Sequence, residues 1–328
     1  LSLLLILGAL ATTYLVVNPG ADSLEGDFQM YMGQFGKNYF NSAEYALRFQ
    51  VFKENTLNIN QSNAQKKTYT LAMNKFGDWT KEEFKAFLTY KPDLANRQAP
   101  EPRLTDPLCG TRDWRDQGAV GPVVDQGSCG SCWAFATTAA IEGSLALFKR
   151  NFVKFSEQQL IDCSTDYGNE GCNGGDMANS YAYLKDSQFC LERDYPYTGK
   201  DETCKEDSCT DTEFVLSKYH TVVPKDAGAL AESLCNNVVA VAVEADKDAF
   251  RFYSSGVVND ESCGVELNHA VLAVGFDNDA EGNPQYIIKN SWGADWGNQG
   301  YIKLGNKFES EGGVCGVLLD ETFPLYRC

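Results

Sequence analysis

The chain is short of histidine and of positive charge. Its 328 residues include two histidines, and 28 Lys and Arg against 45 Asp and Glu, a formal charge of −17. A chain so acidic is repelled by phosphate backbones and anionic membranes, which argues against nucleic acid as a partner. Paired CxxC knuckles are missing, so a structural zinc site lacks ligands and no metal is expected. Composition also excludes a disordered, collagenous or multispan membrane chain, since 43% of residues are hydrophobic without long apolar repeats.

What is present is unevenly placed. Residues 1–106 carry 11 acidic and 11 basic side chains, whereas residues 107–328 carry 34 and 17, so the whole net charge lies in the second part. All 12 cysteines lie there too, from Cys109 to Cys328. Leu1 to Val17 is uncharged and mostly apolar, and Asn18, Pro19 and Gly20 break regular structure after it. A membrane span takes about 20 apolar residues. The run is read as a secretory signal over 1–21, cut near Ala21, with its own beginning missing because neither Met nor a basic segment precedes it. A signal implies an oxidising route, in which clustered cysteines pair.

The next segment runs over 25–90, and its residues 27–64 read as helices. Phe28, Tyr31, Met32 and Phe35 recur at helical spacing, and Ser42 is the expected N-cap of a helix from Ala43. Glu44, Arg48, Phe52, Asn55, Ile59 and Asn63 follow at steps of three or four along one face. This series resembles the helix signature of the inhibitory prosegment in papain-family cysteine proteases of the cathepsin L type. Asn74, Phe76 and Asp78 resemble its second motif, with Ala72 where that motif opens on Gly. Residues 91–107 hold four prolines and no apolar period, so an exposed activation linker is expected over 91–106.

The strongest motif is Gln126-Gly-Ser-Cys-Gly-Ser-Cys-Trp-Ala-Phe135. Small, turn-prone residues lead to Cys132, and an Ala- and Leu-rich stretch from Trp133 to Phe148 reads as a buried helix. Cys132 is then expected at a helix N-terminus, where the dipole favours the nucleophilic thiolate. Gln126 offers an amide N–H₂ beside the Cys132 N–H, two donors for an oxyanion. The thiolate wants an imidazole. His220 sits in a plain strand-like stretch and reads as structural. His269 heads an apolar strand, Asn268-His-Ala-Val-Leu-Ala-Val-Gly-Phe276, and Asn290 ends another, Tyr286-Ile-Ile-Lys-Asn-Ser-Trp-Gly293. The Asn290 amide oxygen can fix the imidazole's orientation and tautomer, under cover of Trp292 and Trp296.

Together with Cys163, Gly171-Cys-Asn-Gly-Gly175 and Tyr195-Pro-Tyr197, these blocks resemble a papain-family, cathepsin L-like cysteine protease precursor over nearly the whole chain after the signal. The resemblance implies an α+β, papain-like two-domain fold over 107–328, preceded by a helical inhibitory prodomain. A helical half would run over about 118–216 and a β-barrel-like half over about 217–320, with the active site in the cleft between them. It implies Cys132, His269, Asn290 and Gln126 as catalytic residues, and the disulfides Cys129–Cys172, Cys163–Cys204 and Cys263–Cys315. Cys109, Cys190, Cys209, Cys235 and Cys328 are left without assignment. For substrate binding it implies Gly174, Gly175, Asp176, Met177, Ala242, Leu267, Asn268, Ala270, Trp292 and Asp320.

Asp320 maps to the floor of the main selectivity pocket. Either it pairs with a substrate Arg there, or it turns to solvent and leaves Asp176 on the rim. Implied partners are protein or peptide substrates, the chain's own prosegment and cystatin-like inhibitors, for a monomer needing no cofactor. A lysosome-like acidic compartment or the extracellular space is the implied location. Acid is expected to loosen the prosegment through carboxylates such as Asp78. Asn60-Gln-Ser62 is the glycosylation sequon. Other readings are a catalytically silent binding protein of this fold and an inhibitor made of the prosegment alone.

Overall fold

The computed structural model describes residues 23–100, 109–210, 212, 214 and 216–326. The expected signal, the end of the linker and Cys328 lie outside these residues. In chain order the elements are α1 (Ser23–Phe35), α2 (Ser42–Ala64), β1 (Tyr69–Leu71), α3 (Lys81–Phe87), β2 (Arg112–Asp113), α4 (Cys132–Lys149), α5 (Glu157–Cys163), α6 (Met177–Asp186) and β3 (Leu216–Thr221). They continue as α7 (Ala227–Asn236), β4 (Val239–Val243), α8 (Asp248–Arg251), β5 (Tyr253–Gly256), β6 (His269–Asn278), β7 (Pro284–Lys289), β8 (Tyr301–Leu304) and β9 (Glu321–Tyr326). No described helix is long and apolar enough to cross a membrane.

The front helices cross around aromatic rings. Phe28 and Tyr31 of α1 pack on Phe52 of α2, with centroids 5.2 and 5.0 Å apart. The N-cap of α2 is Asn41 rather than Ser42, because Asn41 is extended and its Oδ1 accepts the Glu44 N–H at 2.9 Å. The face marked by the spaced residues grips the segment that follows. Arg48 Nη1 donates to Glu83 and to the Asp78 carbonyl, at 2.6 and 3.0 Å. Asn55 donates to the Gly77 carbonyl at 2.9 Å, and Asn63 both donates to the Leu71 carbonyl and accepts its N–H. The Asn60 sequon lies within this helix.

Asp78 of the second motif is buried. Its carboxylate accepts from Tyr31, Lys37 and Tyr39 at 2.6–2.9 Å, all within the prosegment. These side-chain hydrogen bonds close the prosegment's own core. Ala72, in place of the motif's Gly, donates its N–H to the Phe252 carbonyl at 2.8 Å and has an ordinary negative φ, so nothing there requires glycine.

The prosegment docks by strand addition, β1 antiparallel to β5, and by Asn74 Nδ2 donating to the Arg251 carbonyl at 2.7 Å. The buried Arg251 returns two bonds of 2.6 Å to the Phe76 and Trp79 carbonyls. Lys67 pairs with Asp260, Lys75 with Asp125, Lys91 with Glu170, and Arg97 with both Asp176 and Asp320; the cation comes from the charge-neutral part each time.

Helix α4 is almost wholly buried and runs between α5 and α6 on one side and the sheet on the other. The sheet is antiparallel in the order β3-β9-β4-β6-β7-β8, with β2 added on β6. It runs past residue 320, since β9 pairs with both β3 and β4. Strand β4 reads Val-Ala-Val-Ala-Val because both its faces are buried, so no polar alternation survives. His220 sits in β3, stacked on Phe323 with centroids 5.2 Å apart. Five disulfides join Cys109–Cys235, Cys129–Cys172, Cys163–Cys204, Cys190–Cys209 and Cys263–Cys315. Among the described residues Cys132 is the one free cysteine.

Candidate active site

Cys132 opens α4. The loop before it is held by Gly127 in the left-handed region, and by a Gly130 whose side of the chain faces the Cys172 carbonyl and Thr89 too closely for a Cβ. The Cys132 side chain is fully buried. Gln126 is buried and locked: its Oε1 accepts from Ser291 Oγ at 2.8 Å and its Nε2 donates to the Cys129 carbonyl at 3.0 Å. This fixes which end of the amide faces the Cys132 side.

His269 begins β6, in register with Val243 of β4, and the next residue, Ala270, is buried in the same core as Cys132. His269 Nε2 lies 2.8 Å from Asn290 Oδ1, at the end of β7. Its Nδ1 is buried without a hydrogen-bond partner, and is the nitrogen left to exchange a proton with the thiol. Trp292 stacks on the imidazole at 4.6 Å and 26°. Trp296 acts at one remove, packing on Trp292 at 5.1 Å and donating its indole N–H to the Arg251 carbonyl. Phe250 meets the edges of His269 and Trp292 at 6.1 and 5.7 Å. Ser291 and Phe250 escaped the sequence reading. The first stands inside the Asn290-Ser-Trp block, while the second carries no local signal.

The covered precursor site favours the neutral forms of both groups. Burial pushes the Cys132 thiol up to about 11 and the His269 imidazole down to about 4, so both groups are neutral near pH 7. The cover is the prosegment. Thr89 Oγ1 donates to the Gly130 carbonyl at 2.8 Å, Tyr90 N–H to the Asn268 carbonyl at 3.1 Å, and Lys91 N–H to the Gly175 carbonyl at 3.0 Å. A Cβ on Gly174 would stand 2.2 Å from the Thr89 carbonyl oxygen, so glycine is needed for that passage. Phe76, Phe84 and Phe87 pack on Trp292 at 5.2–6.0 Å.

The side chains of Met177, Ala242 and Ala270 are buried beside this passage, with Leu267 partly buried against the same core. Asn268 accepts the Ala245 N–H at 2.8 Å and so holds its loop. Asp320 does not turn to solvent, and Asp176 is not on an open rim. Both are buried, and burial lifts the Asp320 carboxyl above its ordinary range against the pull of Arg97. Tyr90 Oη donates to Asp320 at 2.5 Å. Arg97 donates Nε and Nη2 to Asp320 at 2.8 and 2.5 Å, and Nη1 and Nη2 to Asp176 at 2.5 and 2.8 Å. The linker was expected to be exposed throughout, and most of residues 91–100 are, but Arg97 is drawn in by two buried acids.

Two family profiles match the chain. "Papain family cysteine protease" covers residues 108–325, and "Cathepsin propeptide inhibitor domain (I29)" covers residues 28–84. The chain is 39% identical over 311 residues to cysteine protease XCP2 of Arabidopsis thaliana, spanning 92% of this chain and 86% of that one. Among solved structures it is similar to digestive procathepsin L 3 of the Tenebrio molitor larval midgut. There the TM-score is 0.82 at 36% identity, over 92% of this chain and 98% of the other. The recombinant stem bromelain precursor superposes with a TM-score of 0.85 at 33% identity, over 94% and 100% of the two chains.

Proposed function

The chain belongs to the papain family of cysteine proteases, as the zymogen of an endopeptidase, and from this premise we propose the roles of its residues. Cys132 is the nucleophile. Once the prosegment leaves, water returns to the cleft, the burial that favours neutral groups ends, and the Cys132 proton passes to His269 Nδ1. The thiolate attacks the substrate carbonyl carbon. The oxyanion that forms accepts from the Cys132 N–H and the Gln126 side-chain N–H₂. His269 then gives its proton to the leaving amine, and afterwards takes one from the water that frees the acyl group. Asn290 holds the ring so that Nδ1 faces the sulfur, and Trp292 keeps water from their bond.

The carrying observation is the 2.8 Å His269–Asn290 bond, with Nδ1 of the same ring buried and left without a hydrogen-bond partner. Gly174, Gly175, Met177, Ala242, Leu267, Asn268 and Ala270 line the substrate path, and Asp176 and Asp320 close its main side-chain pocket. The prosegment covers residues 25–90 and the linker 91–106, where cleavage frees the peptidase domain of 107–328. Five disulfides support an oxidising secretory route. An acidic lysosome-like compartment or the extracellular space, action as a monomer, and blockage by cystatin-like inhibitors complete the proposal. Thiol-dependent cleavage of a fluorogenic peptide at pH 5 by the processed chain tests it, with loss of turnover expected on Cys132→Ser. A Cys132→Ser enzyme that still turned over substrate would refute the assignment.

A further inference from the structure

Arg97 makes four hydrogen bonds, two to each of two buried carboxylates that lie 144 residues apart in sequence, at positions 176 and 320. The pattern is a planar fork gripped from two directions, which a guanidinium can satisfy and an ammonium cannot. Each carboxylate is also held by a group other than Arg97. Asp176 is the N-cap of α6, and its Oδ1 accepts the Ala178 N–H at 2.6 Å. Asp320 takes the Tyr90 hydroxyl.

Arg97 and Tyr90 both precede the start of the protease match at residue 108, so both leave with the prosegment. The mature pocket is then left with two acids and no cation among the contacts that neutralised them. Two like charges facing one small pocket are costly without a counter-ion. A ligand that brings a guanidinium restores all four bonds. The neighbouring Met177, Ala242 and Ala270 offer apolar wall to the methylene stem of such a side chain.

We propose that Asp176 is a second specificity carboxylate: with Asp320 it forms a two-sided clamp for a substrate arginine, and Arg97 is the ligand that fills this clamp in the precursor. The proposal rests on the endopeptidase reading, and names the substrate side chain that its pocket selects. A pocket reading charge through Asp320 alone would be indifferent to Asp176.

The test uses processed enzyme and three fluorogenic peptides that differ only at the second residue before the cut, the one that the family resemblance assigns to the main selectivity pocket, carrying Arg, its neutral isostere citrulline, or Leu. Rates are normalised to active-site titre with an epoxide inhibitor. Wild type is expected to prefer Arg over citrulline in kcat/KM by ~10-fold or more, the scale of charge-assisted bonds. Asp176→Asn and Asp320→Asn should each cut that ratio several-fold, and the double variant should bring it near one. Asn caps a helix as well as Asp, so Asp176→Asn keeps the α6 cap and its fold. An Arg-to-citrulline ratio near one in wild type overturns the clamp. So does a ratio that falls in Asp320→Asn yet stays unchanged in Asp176→Asn. Failure to cleave any peptide, Leu included, removes the endopeptidase reading and the clamp with it, and is thereby distinct from failure of the clamp alone.

Discussion

Nε2 of His269 lies 2.8 Å from Oδ1 of Asn290, and the Trp292 ring lies flat over that imidazole. The bond leaves Nδ1 free for the thiol, and the indole keeps water from competing for Nε2. Asn290→Ala should therefore lower kcat far more than it raises KM. A buried bond to a group that becomes charged is worth about 1.5–3 kcal/mol, or roughly 10- to 100-fold in kcat/KM. Steady-state kinetics on one peptide read this directly. An unchanged kcat would mean that the ring is oriented by its aromatic neighbours alone.

The covered thiol predicts a pH signature. With Cys132 raised to about 11, its thiolate fraction at pH 7 is roughly one in ten thousand. Alkylation of the precursor by iodoacetamide should be slow at pH 7 and climb about tenfold per pH unit towards pH 10. The processed enzyme should react at least ~100-fold faster at pH 7, with little further rise above it. Equal rates for the two forms would remove burial as the cause of the neutral pair.

The Glu83–Arg48 pair is expected to make the precursor acid-sensitive. The bond from Arg48 holds the Glu83 carboxyl below its ordinary value. A depressed carboxylate contributes stability that is full above about pH 5 and is lost as pH falls through the lowered value. Glu83 also closes the capping box of α3 with Thr80, and α3 presents Phe84 and Phe87 to Trp292. Glu83→Gln keeps a capping residue but removes the ion pair. Its precursor should mature faster than wild type at pH 6, and the gap in rate between pH 4 and pH 6 should narrow. Electrophoresis of timed samples shows either result; an unaltered gap would move the acid trigger elsewhere.

The Cys109–Cys235 bridge closes a sequence separation of 126 residues. It ties the start of the protease part to α7. Replacing both cysteines by Ser should cost about 2–5 kcal/mol of stability. Thermal denaturation should show a clear drop in Tm, with kcat/KM at 25 °C hardly altered.

Local motifs made Cys132, His269 and Asn290 legible, because each stands at an element boundary with its own signature. The prosegment helix was legible for the same reason, though its cap fell on Asn41, where an extended backbone rather than residue type decided between neighbours. The Arg97 plug was not legible. Its linker has the composition of an exposed segment, and the acids that draw it in lie 79 and 223 residues away. Phe250 and the Cys109–Cys235 pairing were hidden likewise, since tertiary contact alone brings them to their partners. Asp78 was found by its motif, but its partners, Tyr31, Lys37 and Tyr39, lie inside the prosegment.

A complete Cys132 centre lies buried under the prosegment and is exposed by its loss. Labelling with an epoxide-type cysteine protease inhibitor, followed by peptide mass mapping, tests it most directly. One adduct per processed molecule is expected, on Cys132, with activity lost in proportion, and no adduct on the intact precursor at pH 7. Inactivation without label on Cys132, or full labelling of the intact precursor, would contradict it.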